Sequence, residues 1–266
     1  MPYSVSKCAL YSACGTTPGP VRDDVTRVSP ESPSDLTHVR AVLFDLFHTL
    51  VSLEVSQPPG PSVSAILDVD RDTWWRAWTD NSEDYLLGRT VLERTLPARA
   101  RVANPAVTDE QIRLAVTARP AQFRHALTHV EPETLAGLSQ LRTMNWRLGL
   151  VSNCGRDEIA AWPDSPLAPC FDAAVFSCDV GLIKPDPAIY RLAATRLRVE
   201  PAECLFVGDG GSDELVGASS AGMTPVLLTR HLEVMAPQRI APATQQAAFR
   251  VRTVLDLCAL LQHCGH

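Results

Sequence analysis

The chain has 266 residues, 45% hydrophobic and 20% charged, which suffices for one large core with an insert and excludes wholesale disorder. Its formal net charge of −6 argues against non-specific binding to nucleic acid or to an anionic membrane, both of which need a basic surface. No run approaches the ~18 apolar residues of a membrane helix, and the N-terminus lacks the basic start and apolar core of a secretion signal. A cytoplasmic protein acting on a small molecule is expected, with neither nucleic acid nor membrane as partner.

Residues 1–38 show no sustained periodicity and carry Pro- and Ser-rich stretches, so they are expected to form a disordered extension. A first strand is predicted over about Val39 to Leu46. After Gln57-Pro58-Pro59-Gly60-Pro61, helical patterns dominate to His129, with candidate helices around Thr73–Trp78, from Val91 to Val102, and from Thr108, where Thr108-Asp109-Glu110-Gln111 reads as a capping box. Residues 57–129 are therefore expected to be a helical insert, and 39–56 with 130–266 a core.

Alternation resumes after the insert. Helices are expected over Glu133–Met144, Arg156–Trp162, Ala188–Leu197, Asp213–Ala221 and Val254–Gln262, and strands over Arg147–Ser152, Ala173–Ser177, Cys204–Val207 and Thr224–Leu228. Strands separated by helices of this length imply βαβ units, and the fold class is α/β with a doubly wound parallel sheet. The eight cysteines show no C-x-x-C spacing and no partnering histidine cluster, and several sit in apolar runs. They read as free thiols in a reducing compartment.

Three strand ends carry the chemistry. Val42-Leu43-Phe44 ends on Asp45, with Thr49 four residues on. A lone carboxylate there is costly to desolvate without a compensating charge or metal, and the carboxyl ends of parallel strands are where open α/β sheets place their sites. The second strand end is Ser152-Asn153. The third is Asp209, with Gly210-Gly211-Ser212-Asp213 after it. Lys184, one of only two lysines with Lys7, lies between the last two. Asp45 is the candidate nucleophile. Asp45 and Asp209 offer hard oxygen ligands for Mg²⁺, and Asp213, four residues on, is expected to complete or orient that shell. Ser152, Asn153 and Lys184 are candidates to hold a phosphoryl group, with Lys184 also keeping Asp45 ionised.

The order and spacing of these pieces resemble the haloacid dehalogenase (HAD) superfamily. Phe44-Asp45-Leu46-Phe47-His48-Thr49-Leu50 is similar to its first motif, Val151-Ser152-Asn153 to its second, Lys184-Pro185-Asp186-Pro187 to its third, and Gly208-Asp209-Gly210-Gly211-Ser212-Asp213 to its fourth. The resemblance covers about residues 39 to 229. It implies a Rossmann-like core, a C1-type helical cap at 57–129 and an aspartyl-enzyme intermediate on Asp45. It also implies that Thr49, Ser152 and Asn153 bind the phosphoryl group. The implied Mg²⁺ ligands are Asp45, the Phe47 backbone carbonyl, Asp209 and Asp213.

The departure is Phe47, where family phosphatases resemble one another in a second carboxylate that protonates the leaving oxygen. That help is worth about 10²–10⁴ in rate. L-2-haloacid dehalogenases carry an aromatic residue there, because halide leaves without a proton. Arg76, thirty-one positions after Asp45, is a candidate substrate- or phosphate-binding residue and looks like their halide-receiving cap arginine, and Tyr190 also matches. Asp209 does not fit that branch, whose fourth motif resembles Ser-Ser-Asn followed later by Asp and binds no metal. A phosphonoacetaldehyde hydrolase needs a cap lysine, and a P-type ATPase needs membrane helices. The expectation is a Mg²⁺-dependent phosphatase of a small metabolite. The alternatives are a C–halogen hydrolase and a non-catalytic binding protein. His48, His125, His129, Glu83 and Asp84 are candidates to replace the missing acid.

Overall fold

The computed structural model describes residues 26–28, 36–80 and 82–262. Residues 1–25 and 29–35, most of the expected extension, lie outside the described residues. The strands are β1 (Thr26–Arg27), β2 (Ala41–Phe44), β3 (Arg147–Ser152), β4 (Ala173–Phe176), β5 (Cys204–Gly208), β6 (Thr224–Leu228) and β7 (Phe249–Val251). They form one sheet in the order β1-β7-β6-β5-β2-β3-β4. All pairings are parallel except β1 with β7. Thr26 and Arg27, placed by sequence in the extension, thus form an edge strand. β7 is also new: its three residues are too few to show a periodicity.

β2 and β5 are buried along their whole length, as strands covered on both faces must be. Their side chains alternate between two cores. Val42, Phe44, Leu205 and Val207 pack with Leu138, Leu141, Leu257 and Leu261 on one face. Leu43, Phe206 and Cys204 pack with Ile189, Ala193, Leu215 and Ala218 on the other. Helices Pro132–Thr143 and Val254–Gln262 cover the first face, and Pro187–Leu197 with Glu214–Ala221 the second. The sheet is doubly wound. β2 pairs with β3 on one side and β5 on the other, so the strand order reverses there, the point at which open α/β sheets place their sites beyond the carboxyl ends of the strands.

Between β2 and helix Pro132–Thr143 the chain forms further helices, the longest being Arg71–Thr79, Leu92–Ala103 and Asp109–Thr128. The last begins with the expected Thr108–Gln111 capping box. Trp74, Trp78, Tyr85, Leu96 and Ile112 give this insert its own core, whereas Trp75 is exposed. The helix expected over Arg156–Trp162 does not form; that stretch is a series of turns. Its side chains are held by three different elements: Arg156 by Asp179, Asp157 by Tyr85, and Glu158 by Arg119. Tertiary partners outweigh a helix of marginal length. All five cysteines among the described residues are unpaired. None of the described helices is long and apolar enough to cross a membrane.

Candidate active site

β2 ends one residue before Asp45, whose N–H continues the ladder to the Val207 carbonyl at 2.9 Å. The chain then curls: Leu50 and Val51 N–H both return to the Leu46 carbonyl, and His48 takes a left-handed φ of 68°. This curl carries Thr49 back over the strand end, where its hydroxyl donates to Asp45 Oδ2 at 2.8 Å. Asp45 is buried, and Lys184 Nζ donates to its Oδ1 at 2.5 Å.

Lys184 also donates to Glu214 Oε2 at 2.6 Å. Burial works against the ammonium charge, but the carboxylates of Asp45 and Glu214 outweigh it and hold Lys184 above the ordinary lysine value. Asn153 fixes the lysine backbone from both sides. Its amide donates to the Lys184 carbonyl at 2.9 Å and its oxygen accepts the Lys184 N–H at 2.8 Å. The side chain expected to bind phosphate therefore spends its polar atoms on positioning Lys184. Ser152 is buried, and its hydroxyl has no partner among the described residues.

Asp209, just past β5, accepts the Gly211 N–H at 2.8 Å through Oδ1. The third carboxylate expected from sequence to hold the metal, Asp213, is exposed and left-handed at φ 51°. Glu214 stands in the site in its place. Oxygens of Asp45, Asp209 and Glu214 lie within 4.8 Å of one another, and all three residues are buried. Ser212 and Asp213, both at positive φ, turn the chain so that Glu214, the first residue of helix Glu214–Ala221, points inward. Gly208 makes room for it: a Cβ there would lie 2.1 Å from Glu214 Oε1. Tyr190 donates to the Glu214 carbonyl at 2.8 Å, so its match to the dehalogenase pattern serves here to anchor this turn. Burial, and then the charges of Asp45 and Asp209, push the Glu214 carboxyl well up despite Lys184. Three hard-oxygen ligands with surplus negative charge fit Mg²⁺.

Phe47 packs edge-on against Phe123 of the insert, ring centroids 4.9 Å apart. Arg119, one turn earlier on that helix, lies over the faces of Phe123 and Trp78 and ion-pairs with Glu158. Glu158 in turn accepts the Gly155 N–H at 2.8 Å, just beyond Asn153. Arg76 is exposed, with no ion pair among the described residues. Of the candidate replacement acids, His48 lies 3.7 Å from Glu54. His125 bonds to the Ser56 carbonyl at 3.0 Å and stacks on His129. Glu83 and Asp84 are exposed.

The sequence reading missed Glu214, Arg119 and Glu158. Only the adjacency of Glu214 to Asp213 pointed to the first. Nothing local marks the other two, thirty-nine residues apart.

A family model described as haloacid dehalogenase-like hydrolase matches residues 39–222. A glyceraldehyde 3-phosphate phosphatase of Methanopyrus kandleri is 32% identical over 130 residues, 47% of this chain and 55% of that protein, so the match spans about half of that relative. A phosphoglycolate phosphatase of Salmonella choleraesuis is 28% identical over 215 residues, 73% of this chain and 82% of that protein. The L-2-haloacid dehalogenase of Xanthobacter autotrophicus, solved with chloropropionic acid covalently bound, is similar in fold, with a TM-score of 0.59 at 21% identity over 84% of this chain and 98% of that one. The matched stretch runs from just before β2 to just past helix Glu214–Ala221 and contains all the strand-end groups described above, and the chain belongs to the haloacid dehalogenase-like hydrolase family.

Proposed function

We propose that the protein is a Mg²⁺-dependent phosphatase of a small phosphorylated metabolite, working through an aspartyl-phosphate on Asp45, with residues 57–129 as a cap over the site. The observation that carries this reading is the buried group of three carboxylates, Asp45, Asp209 and Glu214, around a single buried lysine. Displacing halide with one carboxylate has no use for Asp209 beside it. Phosphoryl transfer does, because a divalent ion held by them offsets their charge and that of the phosphate. Asp45, Asp209, Glu214 and the Phe47 backbone carbonyl would hold the Mg²⁺, which would supply electrostatic stabilisation of the transferring phosphoryl oxygens.

The chain's own groups do the rest. Thr49 and Lys184 hold one Asp45 oxygen each and fix the carboxylate at the strand end. An Asp45 oxygen attacks phosphorus, and the bond to the leaving oxygen breaks. Water then attacks the same phosphorus, releasing phosphate and restoring the carboxylate. The Lys184 ammonium stands against Asp45 Oδ1, and the unpartnered Ser152 hydroxyl is available to a phosphoryl oxygen. Phe47 offers the leaving group no proton, which favours acyl or aryl phosphates, whose oxygens leave without one.

The apolar contact of Phe47 with Phe123 favours a second reading, C–halogen hydrolysis, in which a dry wall beside Asp45 suits a halide leaving group. Phosphate release from an aryl phosphate, with Mg²⁺ and with EDTA, for wild type and Asp45→Asn, separates the two. Metal-dependent release that the variant loses is expected. Halide release from a 2-haloacid, unaffected by EDTA, would replace the phosphatase reading with the second. Neither activity, with ligand-induced thermal stabilisation alone, would leave a binding role.

A further inference from the structure

We infer that Arg239 is a specificity-determining residue of this site and receives a carboxylate carried by the phosphorylated substrate; the inference rests on the phosphatase reading. Beyond β6 the chain runs through helix Leu232–Met235 and a turn at Pro237–Arg239 into helix Ile240–Thr244. Two glycines let this segment settle on the loop after Asp209. A Cβ at Gly210 would lie 2.9 Å from Ala243 Cβ, and one at Gly211 would lie 3.3 Å from Arg239 Nη2. The outcome is a guanidinium at the rim of the carboxylate group, with Nη2 3.4 Å from Asp209 Oδ2.

The contact is loose. Charge-assisted hydrogen bonds of this kind run to about 2.7–2.9 Å, and Asp209 is the one side-chain partner of Arg239 among the described residues. The arginine side chain is 36% exposed, whereas Lys184 is 2% exposed and grips two carboxylates. The two cations thus address different acids. Lys184 serves Asp45 and Glu214, where the phosphoryl group reacts. Arg239 serves Asp209 and has donors left over on its open side.

Asp209 cannot give the same oxygen fully to a divalent cation and to Arg239. Once Asp209 is committed to the metal, the guanidinium has lost its counter-charge and stands beside like charge. An anion between them restores the balance, and the planar fork of arginine matches a carboxylate. Arg239 therefore weakens metal binding when no anion is present. By linkage, metal and a carboxylated ligand strengthen each other.

The test begins with Mg²⁺ alone, titrated calorimetrically into the full-length protein at low salt. Removing a positive charge this near should tighten Mg²⁺ roughly three- to tenfold in Arg239→Gln, and Arg239→Lys should restore the weaker binding. Unchanged or weaker Mg²⁺ affinity in Arg239→Gln overturns the inference, since a merely structural arginine gives no tightening. Next, 3-phosphoglycerate and glycerol 3-phosphate, which differ by a carboxylate against a hydroxymethyl group, are competed against aryl phosphate turnover. Wild type should prefer the carboxylate about tenfold or more, the scale of one charge-assisted pair, and Arg239→Gln should bring the two together. A preference that is absent in wild type or survives in the variant overturns the inference while the phosphatase reading stands. No aryl phosphate turnover by wild type removes that reading, and the inference with it.

Discussion

Arg119, on the helix Asp109–Thr128, and Glu158, in the loop after β3, form an ion pair with side chains only 8% and 6% exposed. It joins the insert to the sheet at the edge of the site. Its arginine lies against Phe123, which touches Phe47, and its glutamate holds the Gly155 N–H two residues beyond Asn153. Removing one member leaves the other charge buried and unpaired. Arg119→Ala or Glu158→Ala should each cost about 3–5 kcal/mol in urea unfolding. The double variant Arg119→Met, Glu158→Leu, with no charge left, should cost much less than the sum. A single-variant loss below ~1 kcal/mol would show that the insert and the sheet are not tied here.

Glu214 rather than Asp213 stands with Asp45 and Asp209. Calorimetric titration should therefore find Mg²⁺ affinity reduced about 10–100-fold in Glu214→Gln and unaltered in Asp213→Asn. The reverse pattern would return the ligand role to Asp213.

Gly155 sits beneath the Tyr85 ring: a Cβ there would lie 2.1 Å from Tyr85 Cζ. The tyrosine is buried and its hydroxyl is bonded to Asp157 at 2.7 Å, so the ring cannot move aside. Gly155→Ala should destabilise by about 1–3 kcal/mol. A Tyr85→Leu background should relieve most of that loss, giving a coupling in the double-mutant cycle. Independent, additive effects would contradict the close approach.

His231 is buried beside Glu131, which it meets through Nε2 at 3.1 Å. Burial holds it below the ordinary imidazole value of 6.5, and Glu131 offsets only part of that effect. The sign follows from proton counting. As pH falls through 6.5 the unfolded chain takes up a proton that folded His231 does not, so stability drops from there towards the depressed folded value. The unfolding free energy of wild type should fall as pH drops through 6.5, and His231→Gln should flatten that slope. Equal slopes in both proteins would place the pH dependence elsewhere.

Much of this was readable along the chain. The apolar runs at Val42–Phe44 and Leu205–Val207 have to be buried on both faces, and their polar ends had to gather at one edge of a parallel sheet. Asp45, Thr49, Lys184 and Asp209 are legible for that reason. Asp213 shows where such reading stops. Counting four residues from Asp209 assumes a regular helix, whereas two left-handed residues shift the inward position to Glu214. Asn153 was legible as polar and close to the site, but its partner, the Lys184 backbone, comes from thirty-one residues away.

The sequence by itself determined the five central parallel strands, the helical stretch between the first two of them and the placing of Asp45 and Asp209 at strand ends, because periodicity and strand-end polarity are local properties of the chain. Only the tertiary structure decided which acid completes the group, that Phe47 meets Phe123, and that Arg119 and Arg239 answer to Glu158 and Asp209. Those are pairings between distant segments. Their geometry depends on left-handed turns, on glycines that admit close approach, and on burial that makes every charge find a partner, none of which a run of residues displays before the chain has folded.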